Sequence, residues 1–148
     1  MDRAEKALEY FKEGYNCAQA VVLAYADKMK MDEKSAAMIS APFGGGMGRM
    51  REVCGAVSGM FMVFGAQKGT SDPKDKQGKE AMYRIVQKIA AEFEEENGSI
   101  VCGRLLGIKG KDDPKPSERD EKYYKKRPCG EYVACAARIV EKYINDAE

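Results

Sequence analysis

Cysteine is the residue type in this sequence with the widest chemical range, at positions 17, 54, 102, 129 and 135, and the chain has no histidine. Without histidine there is no Ser-His or Cys-His nucleophile, no proximal-His haem and no Cys₂His₂ zinc finger. Acid–base work near neutral pH falls to a shifted Cys, carboxylate, Lys or Tyr. Any site for a soft metal would rest mainly on thiolates. No Cys-x-x-Cys occurs, which disfavours a thioredoxin-type pair and a zinc ribbon.

Position along the expected helices separates the cysteines. Cys54 opens the central helix, Cys129 follows Pro128 at the start of the last one, and Cys102 opens a short helical turn. Unpaired N–H groups and the positive dipole end at a helix start favour a thiolate. Arg49, Arg51, Arg104 and Arg127 are close in sequence to these sulfurs and push the same way. Cys17 is expected in the body of the first helix, beside its apolar stripe. Cys135 shares a helix face with Glu131, Arg138 and Lys142 and is expected to look toward solvent. A Cys129–Cys135 disulfide is disfavoured, because six helical residues rise about 9 Å. Four sulfurs can therefore converge while the fifth stands apart. The competing reading is that cysteine acts as a small hydrophobe and packs the core.

Gly44, Gly45, Gly46 and Gly48 crowd the segment after Pro42. A Walker A loop would need Lys-Ser/Thr after its second glycine, and a Rossmann turn would need glycine where Arg51 stands. Neither nucleotide loop is complete. The glycines fit a tight turn between closely crossing helices, or backbone N–H groups brought near a sulfur or an anion.

The elements that must position these residues are helices. Apolar residues at three- and four-residue steps predict an amphipathic helix over about 3–27 and another, N-capped by Asp32, over about 32–41. A helix apolar nearly all round is expected over 53–67, with Gly55 and Gly59 forming a smooth face for a neighbouring backbone or a dimer partner. A long helix over about 75–96 stops at Asn97-Gly98, and a last helix starts after Pro128. Residues 109–127, dense in charge and holding two prolines, read as an exposed excursion. No period-2 strand and no repeat is visible. The expected fold is all-α: a single-domain helical bundle over 1–148, of about five helices, with the glycine-rich loop before the central helix.

Composition excludes further classes. Lys+Arg number 25 against 24 Asp+Glu, so no net field draws nucleic acid or anionic lipid. The basic run Lys122–Arg127 is diluted by acids at 112, 113, 118, 120 and 121. Glu92 and Glu94–Glu96 read as a solvated helix end, and the nine methionines as core packing. The longest apolar stretch, Val53–Ala66, is too short to span a bilayer. No secretory signal opens the sequence, so reduced thiols in the cytoplasm are expected.

Three ordered blocks carry a resemblance. Gly14-Tyr15-Asn16-Cys17-Ala18-Gln19-Ala20, Phe43-Gly44-Gly45-Gly46-Met47-Gly48-Arg49 and Cys54-Gly55-Ala56-Val57-Ser58-Gly59 resemble the C-GCAxxG-C-C family of redox-active proteins. Cys102 and Cys129 stand where that family has its third and fourth cysteines, and Cys135 is an addition. The resemblance implies one redox site built from Cys17, Cys54, Cys102 and Cys129, with Gly44, Gly45, Gly46 and Gly55 beside it. Similar cysteine patterns in a multihaem cytochrome with an iron–sulfur site suggest, by analogy, a [2Fe–2S] or [4Fe–4S] cluster held by those four thiolates. The haem part does not transfer to a chain without histidine.

The leading expectation is a cytoplasmic redox protein, an electron carrier or oxidoreductase, serving an unidentified redox partner protein. The alternatives are a metal-free thiol/disulfide protein, in which the four cysteines are the catalytic residues, and a helical assembly module with packing cysteines, for which a homodimer is a candidate.

Overall fold

The computed structural model describes residues 1–144. Among them are eight helices and no strand: α1 (Arg3–Lys12), α2 (Cys17–Ala24), α3 (Glu33–Ser40), α4 (Gly55–Lys68), α5 (Lys76–Asn97), α6 (Cys102–Leu106), α7 (Glu121–Lys126) and α8 (Cys129–Ile144). The protein is all-α, with about eight helices where about five were expected.

The first difference is the segment expected as one helix over 3–27. It breaks between Lys12 and Cys17. Gly14 takes φ +112°, a conformation that ends a right-handed helix and that side chains avoid. Asn16 then restarts the chain as an N-cap. Its Oδ1 accepts from the Gln19 N–H at 2.9 Å, while its own N–H donates to Gln19 Oε1 at 3.0 Å. This reciprocal box satisfies two orphan donors of α2. The apolar stripe runs through both helices, so periodicity alone could not show the break. Its consequence is chemical: Cys17 is the first residue of α2 and not part of a helix body.

Asn16 also donates from Nδ2 to Ala41 O at 3.0 Å, tying the start of α2 to the turn after α3. Asn16→Ala should lower stability by about 1–2 kcal/mol, from a lost cap and an unmet carbonyl. Asn16→Asp, which keeps the cap acceptor, should lose about half of that. Urea midpoints of the two variants check the split.

α2 lies at the centre, buried from Ala20 to Ala24, against α1, α3, α4 and α8. α4 crosses it closely because Gly55 and Gly59 have no side chain. A Cβ on Gly59 would sit 2.9 Å from Val21 Cβ and 3.0 Å from Ala18 O. The smooth face predicted for α4 is thus filled by α2 of the same chain and is not free for a dimer partner. α8 packs on α1, α2 and α4 through Val133, Ala136, Ala137 and Val140, all fully buried. α5 covers the bundle through buried Ile89 and Phe93. Removing such a buried aromatic from water contributes about 1.5–3 kcal/mol. No helix among the described residues is long and apolar enough to cross a membrane.

Candidate functional site

A short backbone pairing sets two of the cysteines side by side. Val53 and Val101 form an isolated antiparallel bridge. Cys54 N–H donates to Ile100 O at 2.7 Å, and Cys102 N–H to Glu52 O at 2.6 Å. Each bond delivers its cysteine to a helix start, Cys54 as N-cap of α4 and Cys102 as first residue of α6. Cys129 is the first residue of α8. With Cys17 opening α2, four helix starts converge, and all four cysteines line one cavity of about 510 Å³. Exposed Ala41, Gly48, Pro114 and Pro116 form part of its wall, so it opens to the surface there.

The glycine-rich segment forms one side of the cavity. Gly45, Gly46, Met47, Gly48 and Arg49 all have φ between 65° and 70°, one turn of left-handed helix closed by Gly48 N–H to Gly44 O at 3.0 Å. Each L-residue in that conformation costs about 1–2 kcal/mol, which is why three of the five are glycine. Gly46 is also pressed against the site: a Cβ there would lie 2.5 Å from Cys102 Cβ. Gly55 lies against Cys17, whose Cβ would be 3.2 Å from an added one. Gly44, Gly45, Gly46 and Gly55 all line the cavity.

The sulfurs differ electrostatically. Cys17 is placed to donate its thiol proton to Cys129, which holds the Cys129 thiol down and raises that of Cys17. Arg127, Arg119 and Arg51 act in the same direction on Cys129, which falls to about 7 despite its burial. Cys54 receives the Ala56 and Val57 N–H groups at the start of α4, yet burial outweighs them and pushes it up to about 12. Burial also raises Cys102, opposed by the Arg51 guanidinium, whose Nη1 is 3.6 Å from the sulfur. The sequence shows no low-pKa pair, whereas the structure puts Cys17 beside Cys129 and creates one.

Arg51 is the hub of the site. Its side chain is only 4% exposed, and Nη2 pairs with Asp112 at 3.0 Å. Arg49 reaches the same carboxylate at 3.3 Å, donates from Nε to Asp113 O at 2.7 Å, and meets Ser117 Oγ at 3.1 Å. Arg119 donates to the carbonyls of Phe11 and Tyr15 and stacks 4.3 Å over the Phe11 ring. Most of 109–127 is exposed, as expected, but these contacts fold Asp112–Arg119 back as a strap along the cavity mouth. Asp112, Ser117, Arg119 and Tyr123 were missed as site residues, because nothing in that charged run sets them apart from their neighbours. Arg104, expected to act on a nearby sulfur, is exposed and does not line the cavity.

Cys135 is also corrected. It is buried, and its thiol donates to Glu96 Oε2 at 2.8 Å while Asn97 Nδ2 approaches at 3.4 Å. The end of α5 covers the face expected to meet solvent, and burial raises this thiol to about 11. It does not line the four-cysteine cavity. Among the described residues, no three Cys, Asp or Glu side chains are grouped tightly enough for a single metal ion.

Fold and site together define an all-α protein in which four of the five cysteines meet at converging helix starts around one cavity. Residues 15–143 match the family described as "Putative redox-active protein (C_GCAxxG_C_C)", and the chain belongs to that family. Searches of curated proteins and of solved structures found no match to the chain.

Proposed function

We propose that this is a redox protein in which Cys17, Cys54, Cys102 and Cys129 hold an iron–sulfur cluster for electron transfer. The observation that carries this reading is the shared cavity: four thiols at four helix starts around about 510 Å³. The donor set fits such a group. The lining holds four sulfurs and four arginines and, among the described residues, no carboxylate. Sulfurs ringing an open space suit a multi-atom cluster better than one ion, which needs its ligands drawn in to about 2.3 Å. Helix starts and guanidinium groups offset the negative charge of four thiolates. When bound, the cluster would supply one-electron chemistry, its potential raised by donors to sulfur such as Arg51 Nη1.

Anaerobic purification, a visible spectrum and iron, sulfide and zinc analysis test this. Brown protein with iron and acid-labile sulfide is the expected result, lost in each Cys→Ser variant. Colourless, iron-free protein that resists reconstitution would overturn it.

The Cys17–Cys129 pair favours a second reading, a metal-free dithiol. The Cys129 thiolate would attack a partner disulfide, forming a mixed disulfide and releasing one partner thiol. Cys17 would then attack the Cys129 sulfur, closing an intramolecular disulfide and releasing the second partner thiol. Two electrons and two protons pass to the partner. A Cys17–Cys129 disulfide in iron-free protein, found by peptide mapping after treatment with oxidised glutathione, would support this reading over the cluster. Both readings assume a reducing compartment.

A further inference from the structure

We infer that the outer part of the four-cysteine cavity is a binding site for a small organic carboxylate, held against the sulfurs. This rests on the cavity being the redox site, but not on whether a cluster occupies it.

Charge balance carries the inference. Arg49, Arg51, Arg119 and Arg127 line the cavity, and no Asp or Glu among the described residues does. Asp112, behind the wall, is shared between Arg49 and Arg51. The carbonyls that hold Arg119 accept from two of its N–H groups without cancelling its charge. The Arg127 guanidinium has neither a hydrogen-bond nor a carboxylate partner among the described residues, only the Tyr123 ring at 5.7 Å. Arg51, almost wholly buried, leaves its Nε without any partner. An unmet donor on a buried cation is costly, and such groups mark a missing ligand or water. A thiolate-bound cluster carries only about two net negative charges in its usual oxidised states, so it would not cancel this surplus in full.

The shape of the site selects the class of anion. A guanidinium is a planar fork that pairs two-pronged with a carboxylate. Leu105, Leu106 and Tyr132 supply an apolar wall for an organic body. The volume of about 510 Å³ lies in the range of small-molecule sites. Oriented this way, the carboxylate faces the arginines and the rest of the molecule lies toward the sulfurs.

Two alkylating reagents that differ only in charge test this. Iodoacetate and iodoacetamide share a reacting carbon and a leaving group, so their rate ratio at one cysteine cancels the thiolate fraction. The full-length protein is used, chelated and reduced, with its fold verified by circular dichroism, and the urea-unfolded chain is the reference. The iodoacetate-to-iodoacetamide ratio at Cys129 should exceed that of the unfolded chain by at least about tenfold. Iodoacetate kinetics should saturate, and propionate should compete. Arg127→Gln should return the ratio toward the unfolded value, and Arg127→Lys should keep part of the gain. A ratio equal to that of the unfolded chain, with linear kinetics, would overturn the site. Failure of the cluster reading appears instead in the iron and sulfide content and leaves this ratio unchanged.

Discussion

Gly46→Ala should destabilise the protein by about 2–5 kcal/mol and abolish the iron binding proposed above. Two costs combine. The residue has φ +69°, worth about 1–2 kcal/mol against any L-side chain. The added methyl would also lie 2.5 Å from Cys102 Cβ and 2.9 Å from both Arg51 Cα and Glu52 N. Those atoms are backbone or the first side-chain carbon, so none can swing away, and overpacking of this kind costs about 1–3 kcal/mol. Relief would have to come from moving the Glu52–Cys102 backbone bond, which positions Cys102. Gly48→Ala is the matched control. It has the same backbone sign, φ +65°, but its nearest neighbour, Pro42 O, is 3.8 Å away. It should lose only the conformational part, about 1–2 kcal/mol, and keep the site. Urea unfolding and iron binding of the two variants, measured in parallel, decide between close approach and mere turn geometry. Equal losses would show that the approach to Cys102 is not what Gly46 is for.

In metal-free, reduced protein, neutral iodoacetamide should alkylate Cys129 about two to three orders of magnitude faster than Cys54 at pH 7. With its thiol lowered to about 7, half of Cys129 is ionised there. Cys54, at about 12, is ionised in about one molecule in 10⁵. Lower basicity makes a thiolate intrinsically less nucleophilic, with a Brønsted slope of about 0.4–0.5, which takes back about two of those decades. The Cys129 rate should rise through a midpoint near 7, where an ordinary thiol rises near about 8.5. Cys17→Ala removes the thiol that donates to Cys129 and should move that midpoint upward. The sign for stability follows. A thiol lowered in the folded state favours the fold above its unfolded pKa, and the gain disappears as pH falls through 7. Rates by peptide mass mapping between pH 6 and 9 provide the check. Cys54 or Cys135 reacting first would refute this electrostatic ordering.

The helices were legible wherever local rules decide them. α3, α4 and α5 fall within about two residues of the segments read from periodicity and capping, since both signals act over one or two turns. The break at Gly14–Asn16 was written locally too, in a glycine and an Asn-x-x-Gln capping box, but the continuous apolar stripe masked it. Other features had no local signal. Cys135 looks solvent-facing beside Glu131 and Arg138, and only the arrival of Glu96 and Asn97 from α5 covers it. Asp112–Arg119 is the loop the sequence suggests, but where it docks was not legible, because its partners, Arg49, Arg51 and the carbonyls of Phe11 and Tyr15, are distant in sequence.

The sequence by itself determined the kind of chemistry. With five cysteines and no histidine, any soft-metal site here would rest mainly on thiolates, and family membership places four of those sulfurs in one motif. It also placed three cysteines at helix starts, because proline, glycine and capping residues act on their immediate neighbours. Tertiary structure alone decided that four helix starts face one cavity, that Cys17 lies beside Cys129, and that four arginines and, among the described residues, no carboxylate line that cavity. The physical reason is range. Capping and periodicity act within a few residues, whereas the Val53–Val101 bridge, the glycine-enabled crossing of α2 and α4, and the Arg51–Asp112 pair each join segments distant in sequence.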